Sequence, residues 1–538
     1  VKIVIADKIS ERGMELLRAP GWQIAAPAAP DLPAALAAAD GLIVRSATRV
    51  TSALLAEGPR LRVVGRAGVG VDNVDCEAAT LRGVLVMNTP GGNAVSVAEH
   101  AFALLLSLAR SVPQLNAALH AGRWEKSGAG GVELRGKTLG LVGLGRVGAE
   151  VARRARVFEM RVVAHDPYIT PEAAAEAGVE LLPLGELLAG ADVVSLHTAL
   201  SPATERIVNA AFLARMKRGA RLINTARGEL VDEIALAEAL RSGHLAGAAL
   251  DVFSSEPPRQ SPLLGLPGVV ATPHVAGATQ EAQEEVGVQI AQQVRDYLAD
   301  GVIRNAVNLP ALSADQYRRV RPYLDLAERL GALAAQVARE PATHLRVTCA
   351  GVPAELGTPL LRNAVLAGVL NTVLEEKANL VNAGKIAAAR GLAIEEETRR
   401  REHGFPDRIA VTAGQGPGAL TAEGTVLHGT APRLLALDGI DLEAPLEGNM
   451  LFTRNRDVPG VIGQIGTALG ALGVNVATFA LGRREAVHGA EALALIRVDG
   501  EVTEAAQAAL RGIAAITEVR RVCLPARAAG AQSAFAFR

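Results

Sequence analysis

Glycines at 143, 145 and 148 stand between an apolar run, Thr138–Val142, and a helical stretch, Arg146–Phe158; a second apolar run, Arg161–His165, follows. That order constrains the fold more than any other feature of the chain. The glycines permit a tight strand-to-helix turn and let a pyrophosphate approach the helix N-terminus, where free N–H groups favour an anion. Asp166 lies 18 residues past Gly148 (166 − 148), near the roughly 20 at which a carboxylate meets a ribose 2′-hydroxyl and repels a 2′-phosphate. The spacing predicts a doubly wound sheet that takes NAD rather than NADP through Gly143, Gly145, Arg146, Val147, Gly148 and Asp166. The bland alternative for Asp166 is a turn acid before Pro167.

Short apolar strands alternate with helical stretches on both sides of this loop. Lys2–Ala6, Gly41–Val44, Leu61–Gly65 and Val84–Met87 form one α/β series. A second comprises Thr138–Val142, Arg161–His165, Asp192–Leu196, Ala220–Asn224, Gly247–Val252 and Val269–Thr272. Helices are expected at Asn93–Arg110 and Gln280–Asp300. From Ala311 the pattern becomes α+β: helices Asp315–Arg339 and Thr358–Leu374 mix with strands His344–Cys349, Arg408–Thr412 and Gly424–His428. The last stretch reads β-α-β-β-α-β, the ferredoxin-like order: Asn449–Thr453, Val461–Leu472, Val474–Leu481, Ala492–Val498, Thr503–Ala515 and Glu518–Cys523. The division expected is 1–92 with 281–306, 93–280, 307–438, 439–525 and a disordered tail, 526–538.

Composition excludes several classes. At 538 residues one core is too few, and 49% hydrophobic residues suit a well-buried protein. A net charge of −1 leaves no footprint for nucleic acid or an anionic membrane. Cys76, Cys349 and Cys523 are odd in number and far apart, so neither a disulfide framework nor a metal site is expected, and a reducing cytoplasm is the default. The longest apolar run near a helix, Ala101–Ala109, is half what a bilayer needs.

Three segments carry titratable groups at strand ends of the second series: Asn224-Thr225-Ala226-Arg227-Gly228, Asp251-Val252-Phe253-Ser254-Ser255-Glu256-Pro257 and Thr272-Pro273-His274-Val275-Ala276-Gly277. Ligands bind at the carboxyl ends of strands in such sheets. An arginine, a carboxylate and a histidine there suit removal of a hydride and a proton from a 2-hydroxy acid. Arg227 would hold the substrate carboxylate and His274 would take the hydroxyl proton. Glu256 would orient the imidazole and favour its protonated form. Singly, each has a structural alternative: a helix cap, a turn acid, a core histidine.

At these residues the chain resembles the D-isomer-specific 2-hydroxyacid dehydrogenases, over Val1 to about Leu309. Val44-Arg45-Ser46, Gly65-Arg66-Ala67-Gly68-Val69-Gly70-Val71-Asp72-Asn73, Asn88-Thr89-Pro90-Gly91-Gly92-Asn93 and Glu133-Leu134-Arg135-Gly136-Lys137-Thr138-Leu139-Gly140 carry the likeness further. The resemblance implies a flavodoxin-like substrate lobe and a Rossmann NAD lobe flanking a cleft. It assigns Arg227, Glu256 and His274 the roles above and adds Thr198, Thr225, Ala226, Asp251 and Gly277 to the NAD contacts. Arg45, Ser46, Arg66, Gly68, Val69 and Asn93 become substrate contacts, with Arg123 and Lys126 weaker phosphate candidates. Ala199 replaces a proline common in relatives, which loosens the expected contact at Thr198.

The C-terminal half narrows the resemblance. Leu374-Glu-Glu-Lys377-Ala-Asn379-Leu-Val-Asn382-Ala, with Ala387-Ala-Ala-Arg390-Gly391, resembles the intervening domain of long-form D-3-phosphoglycerate dehydrogenases. Asp457-Val-Pro459-Gly460-Val-Ile-Gly463, with Leu472-Gly473-Val474-Asn475-Val476, resembles an ACT regulatory domain. The implied activity is oxidation of 3-phosphoglycerate to 3-phosphohydroxypyruvate, the entry to L-serine synthesis, with L-serine as a possible effector at Asn455, Asp457 and Asn475. Arg45 and Arg66 fit its oxyanions, since guanidinium binds these bidentately. Two rivals stay open: a glyoxylate/hydroxypyruvate reductase, and a non-enzymatic NAD-sensing regulator on the same fold. Helix Asn93–Arg110 is apolar nearly all round, which demands burial on all sides; in the resembled family this region meets a second subunit, implying a homodimer or homotetramer.

Overall fold

The computed structural model describes residues 1–126, 130–310, 312–340, 342–374, 377–399, 405–485 and 487–525. The expected tail, 526–538, lies outside them, as do Glu375 and Glu376 of the intervening motif. The chain divides into two compact units, Val1–Asn88 with Val288–Arg538, and Thr89–Gly287.

The first unit opens with β1 (Lys2–Ile5), β2 (Gln23–Ala25), β3 (Gly41–Val44), β4 (Val63–Arg66) and β5 (Leu85–Met87). They form a wholly parallel sheet in the order β2-β1-β3-β4-β5, the flavodoxin-like arrangement. Helices cover both faces, so Leu42, Ile43 and Val44 are all fully buried and the strands read as continuous apolar runs. The second unit holds β6 (Thr138–Val142), β7 (Arg161–His165), β8 (Glu180–Leu181), β9 (Val193–Leu196), β10 (Arg221–Asn224), β11 (Gly247–Leu250) and β12 (Val269–Ala271). Their order, β12-β11-β10-β9-β6-β7-β8, reverses direction between β6 and β9. At such a switch point the loops diverge and leave a crevice for a nucleotide.

The remainder of the first unit contains two further sheets. β13 (His344–Ala350), β14 (Ala393–Arg399), β15 (Arg408–Ala413), β16 (Leu420–Leu427), β17 (Ala431–Leu437) and β18 (Ile440–Pro445) lie in the order β14-β13-β15-β16-β17-β18. Helices Ala314–Val337 and Thr358–Leu370 cross in contact: a β-carbon at Gly331 would strike the Val365 carbonyl, and one at Gly368 the Glu328 carbonyl. β19 (Gly448–Arg456), β20 (Val476–Arg483), β21 (Glu491–Val498) and β22 (Ile516–Leu524) form an antiparallel sheet, β20-β21-β19-β22. Helices Val461–Ala471 and Glu504–Arg511 complete the ferredoxin-like order. Arg329, 3% exposed, fixes this last domain to the long helix. Its guanidinium donates to Asp325 Oδ1 (2.8 Å), the Leu446 carbonyl (2.6 Å) and the Pro525 carbonyl (2.7 Å).

The sequence pattern missed β2, β8, β14, β17 and β18, and placed the end of the helix from Thr358 four residues late. The helix Ala94–Arg110 is not buried all round: Val95 is 48% and Leu106 36% exposed. Among the described residues no single helix is long and apolar enough to cross a membrane.

Candidate active site

β6 delivers the chain to Gly143, whose φ of +98° suits glycine. A β-carbon there would lie 2.6 Å from the His197 carbonyl oxygen and 2.9 Å from the Thr198 nitrogen, so the loops after β6 and β9 touch through their backbones. One at Gly148 would press on the Gly143 carbonyl, whereas Gly145 has nothing within 4 Å. Gly145 caps helix Arg146–Val157 without a side-chain bond, leaving first-turn N–H groups open to an anion. Asp166 braces the loop: Oδ2 accepts from the Leu144 N–H at 2.8 Å and Oδ1 from the Tyr168 N–H at 2.9 Å. Val147 is half-buried, and the exposed Arg146 donates to the Pro90 carbonyl. Thr198 is half-buried beside His197, whose Nε2 lies 2.9 Å from Ser195 Oγ; burial pushes that imidazole down to about 4 and keeps it neutral. Thr225 is 7% exposed and its hydroxyl has no hydrogen-bond partner among the described residues. A buried hydroxyl left unbonded is costly, so Thr225, the open Gly145 and the free helix terminus together fit a bound dinucleotide.

The catalytic candidates stand at the carboxyl ends of adjacent strands. Beyond β10, buried Asn224 shapes the turn: Nδ2 donates to the Arg227 carbonyl (2.8 Å) and Oδ1 accepts from the Ala226 N–H (3.0 Å). A β-carbon at Gly228 would run into the Phe253 backbone, so only glycine follows Arg227 here. Arg227 is half-buried, its Nη1 donating to the Ala226 carbonyl at 2.7 Å. His274 Nδ1 lies 2.8 Å from Glu256 Oε2, and Oε1 of the same carboxylate accepts from the Phe253 N–H at 3.2 Å. With Nδ1 engaged, Nε2 is the nitrogen left for chemistry. His274 has φ +54°, a left-handed backbone that costs a histidine energy and must be held.

Asp251 holds it. Its backbone carbonyl accepts from the His274 N–H at 2.8 Å. The carboxylate accepts from Thr272 Oγ1 (2.6 Å) and the Val275 N–H (2.9 Å) at Oδ1, and from the Ala276 N–H (2.8 Å) at Oδ2. With no exposed surface and these four bonds, Asp251 clamps the histidine loop. His100, which sequence reasoning missed, sits 3.0 Å from Thr272 Oγ1 and 3.4 Å from Asp251 Oδ1. Its only signal in the sequence was a histidine next to Glu99 on a mostly apolar helix.

Asn93 and Gly277 meet: a β-carbon at Gly277 would lie 2.6 Å from Asn93 Nδ2. The remaining substrate candidates belong to the first unit. Arg45 is half-buried after β3; its N–H bonds Asp7 Oδ2 (2.6 Å) and its carbonyl accepts from Asn73 Nδ2 (2.6 Å). Ser46 beside it is exposed. Gly68 has φ +148°, and a β-carbon there would overlap the Arg66 guanidinium, so that side chain folds over the turn. Val69, 36% exposed, is anchored by Asn88 Nδ2 donating to its carbonyl at 2.6 Å.

Comparison with known proteins matches residues 102–276 to the D-isomer specific 2-hydroxyacid dehydrogenase NAD-binding domain. Residues 319–438 match the D-3-phosphoglycerate dehydrogenase intervening domain and 449–515 the ACT domain. D-3-phosphoglycerate dehydrogenase of Bacillus subtilis is 38% identical over 97% of this chain and 100% of its own. The chain belongs to the D-3-phosphoglycerate dehydrogenase family. Its relative in Methanocaldococcus jannaschii is 38% identical over 94% of this chain and 96% of its own. A solved Thermus thermophilus structure, 39% identical with a TM-score of 0.52, spans 57% of this chain and all of its own.

In the ACT domain the three effector candidates do not converge within one copy. Asn455 is 3% exposed; Nδ2 donates to the Arg456 carbonyl (3.1 Å) and Oδ1 has no partner among the described residues. Asp457 follows β19 and accepts from Arg483 Nη1 at 3.3 Å. It is not a helix cap, since Gly460 occupies that position. Asn475 is exposed and donates to Asp499 Oδ2 at 2.6 Å. β19 and β20 both run antiparallel to β21, so Asp457 and Asn475 lie at opposite ends of the sheet.

Proposed function

We propose that this chain oxidises D-3-phosphoglycerate to 3-phosphohydroxypyruvate with NAD. The observation that carries the chemistry is the 2.8 Å His274–Glu256 pair, one strand end from Arg227. Arg227 pairs with the substrate carboxylate and fixes the carbon that loses hydride. His274 Nε2 takes the hydroxyl proton, and Glu256 stabilises the imidazolium that results. Bound NAD supplies the hydride acceptor. Gly143, Gly145 and Gly148 would hold its pyrophosphate at the helix N-terminus, and Asp166 would bond its ribose. Thr198 would meet the nicotinamide side and Thr225, Ala226, Asp251 and Gly277 would complete the cofactor contacts, while Arg45 and Arg66, with Ser46, Gly68, Val69 and Asn93, would serve the substrate. The substrate is argued from the likeness of residues 319–438 and 449–515, which a plain hydroxypyruvate reductase has no reason to carry.

NADH production with 3-phosphoglycerate, glycerate, lactate and formate tests this reading. A higher kcat/KM for glycerate or lactate overturns the substrate, and no turnover of any favours an NAD-sensing regulator. The finer parts belong to the same proposal. L-serine is the effector, bound where Asn455 and Asp457 of one copy meet Asn475 of another; calorimetry at millimolar serine without heat removes it. The exposed Val95 and Leu106 are covered by a second subunit, giving a homodimer or homotetramer; a monomer at micromolar concentration by sedimentation refutes that. Three unbridged cysteines fit a cytoplasmic setting.

A further inference from the structure

The sequence 378–382 is a loop built by asparagines. Asn371 holds Ala378 from both sides, Oδ1 accepting its N–H (2.8 Å) and Nδ2 donating to its carbonyl (3.0 Å). Asn363 Nδ2 donates to the Leu380 carbonyl at 2.8 Å. Asn379 Oδ1 accepts from the Val381 (2.8 Å) and Asn382 (3.2 Å) N–H groups, so its oxygen is spent inside the loop. Its amide nitrogen points out and donates to the Gly83 carbonyl at 2.9 Å.

Gly83 ends the helix Cys76–Leu81 of the first sheet's layer. With φ +71° it closes a Schellman turn, the Gly83 N–H bonding the Thr80 carbonyl and the Val84 N–H the Ala79 carbonyl. A β-carbon there would lie 2.5 Å from Asn379 Nδ2 and 2.9 Å from Asn382 Nδ2. The contact is therefore backbone to side chain with no room to spare. Lys385 and Glu77, 3.3 Å apart, flank it. From Gly83 the chain runs directly into β5, which leads to Asn88, and Asn88 Nδ2 bonds the Val69 carbonyl at 2.6 Å.

We infer that Asn379 is a positioning residue for the substrate: it joins the intervening domain to the Gly83 turn and, through β5 and Asn88, fixes the Arg66–Val69 turn. The consequence is selective. Changes in the C-terminal half reach substrate binding through this turn, and NAD binding is left alone. The inference rests on the reading above for its ligand, 3-phosphoglycerate, and for the role of the Arg66–Val69 turn.

Asn379→Asp tests it. The aspartate keeps an oxygen for the loop N–H groups but sets a second oxygen against the Gly83 carbonyl. In the full chain, KM for 3-phosphoglycerate should rise roughly tenfold, the effect of losing a neutral hydrogen bond and gaining a repulsion. The kcat and the KM for NAD should stay within about twofold. Amide exchange across Val84–Asn88 should quicken. An unchanged KM for 3-phosphoglycerate, or an equal rise for NAD, overturns the inference. Should Asn379→Asp unfold, Lys385→Glu puts two acids together on the surface; its KM should rise about twofold, and Glu77→Lys/Lys385→Glu should restore it. Failure of that rescue also overturns the inference. If 3-phosphoglycerate is not a substrate, the proposed function fails, while the exchange measurement still judges the contact.

Discussion

Replacing Asp251 with asparagine separates holding His274, the proposed acid/base group, from binding the cofactor. The carboxylate is fully buried and takes three donors, Thr272 Oγ1, the Val275 N–H and the Ala276 N–H. An amide offers one oxygen. Set toward Thr272 and Val275, it turns its NH₂ against the Ala276 N–H. A buried donor left unmade costs about 1–3 kcal/mol, and removing the charge weakens each remaining bond by about 1 kcal/mol. The loss of about 3–5 kcal/mol falls on residues 272–276 and is smaller than the stability of a typical domain. The loop therefore shifts while the domain stays folded. His274 loses its left-handed restraint, and a displacement on the order of 1 Å costs about 100-fold in rate. We expect Asp251→Asn to lower kcat by about 10²–10³, with NAD affinity by NADH fluorescence changed less than about threefold, because the Gly143 loop and Asp166 are untouched. Thr272→Val removes one donor and should cost about tenfold or less. A kcat for Asp251→Asn within threefold of the parent would refute the clamp.

His274→Gln should lower kcat by about 10²–10⁴ with NAD binding intact, checked by steady-state kinetics beside fluorescence titration. Asp166→Ala should weaken NAD and narrow its preference over NADP, since it removes the carboxylate and releases the Leu144 N–H; comparable kcat/KM for both cofactors in the parent would end the NAD assignment. Burial first, and Asp325 second, push Glu328 from 4.5 up to about 7. An acid raised in the fold supports stability below pH 4.5 and loses that support as pH rises through 7, a difference of up to about 3 kcal/mol. Glu328→Gln should thus melt higher than the parent at pH 8 and alike near pH 4.5; equal melting at both would show the carboxyl to be solvated.

The glycine loop and the three strand-end segments were legible because they are local. Gly143 needs a positive φ and Gly148 a close backbone approach, and a sequence states both directly. Arg227, Glu256 and His274 each follow a short apolar strand. The site's support was hidden because it is not local. Asp251 reads as one more polar residue at a strand end, yet its donors arrive from 272, 275 and 276, and His100 approaches from another helix. β14 was invisible for a related reason. Its sequence, AIEEETR, has no alternation of apolar and polar residues, and it is a strand because β13 pairs with it in parallel from His344 onward. The Gln23–Ala25 and Glu180–Leu181 strands are too short to show a period. Val95 and Leu106 show the opposite limit: an all-round apolar helix reports that cover is needed, not which surface provides it.

Arg329 gives the ACT domain one address. The carbonyls it grips, Leu446 and Pro525, lie just before the domain's first strand and just after its last. Entry and exit of the module thus meet at a single guanidinium, like the two ends of a loop of string tied to one peg. A module whose ends coincide can be gained, lost or exchanged in evolution with a scar only a few residues long. The same geometry makes it a natural cassette: a different module, spliced between Leu446 and Pro525, would inherit the attachment without any change to the dehydrogenase half.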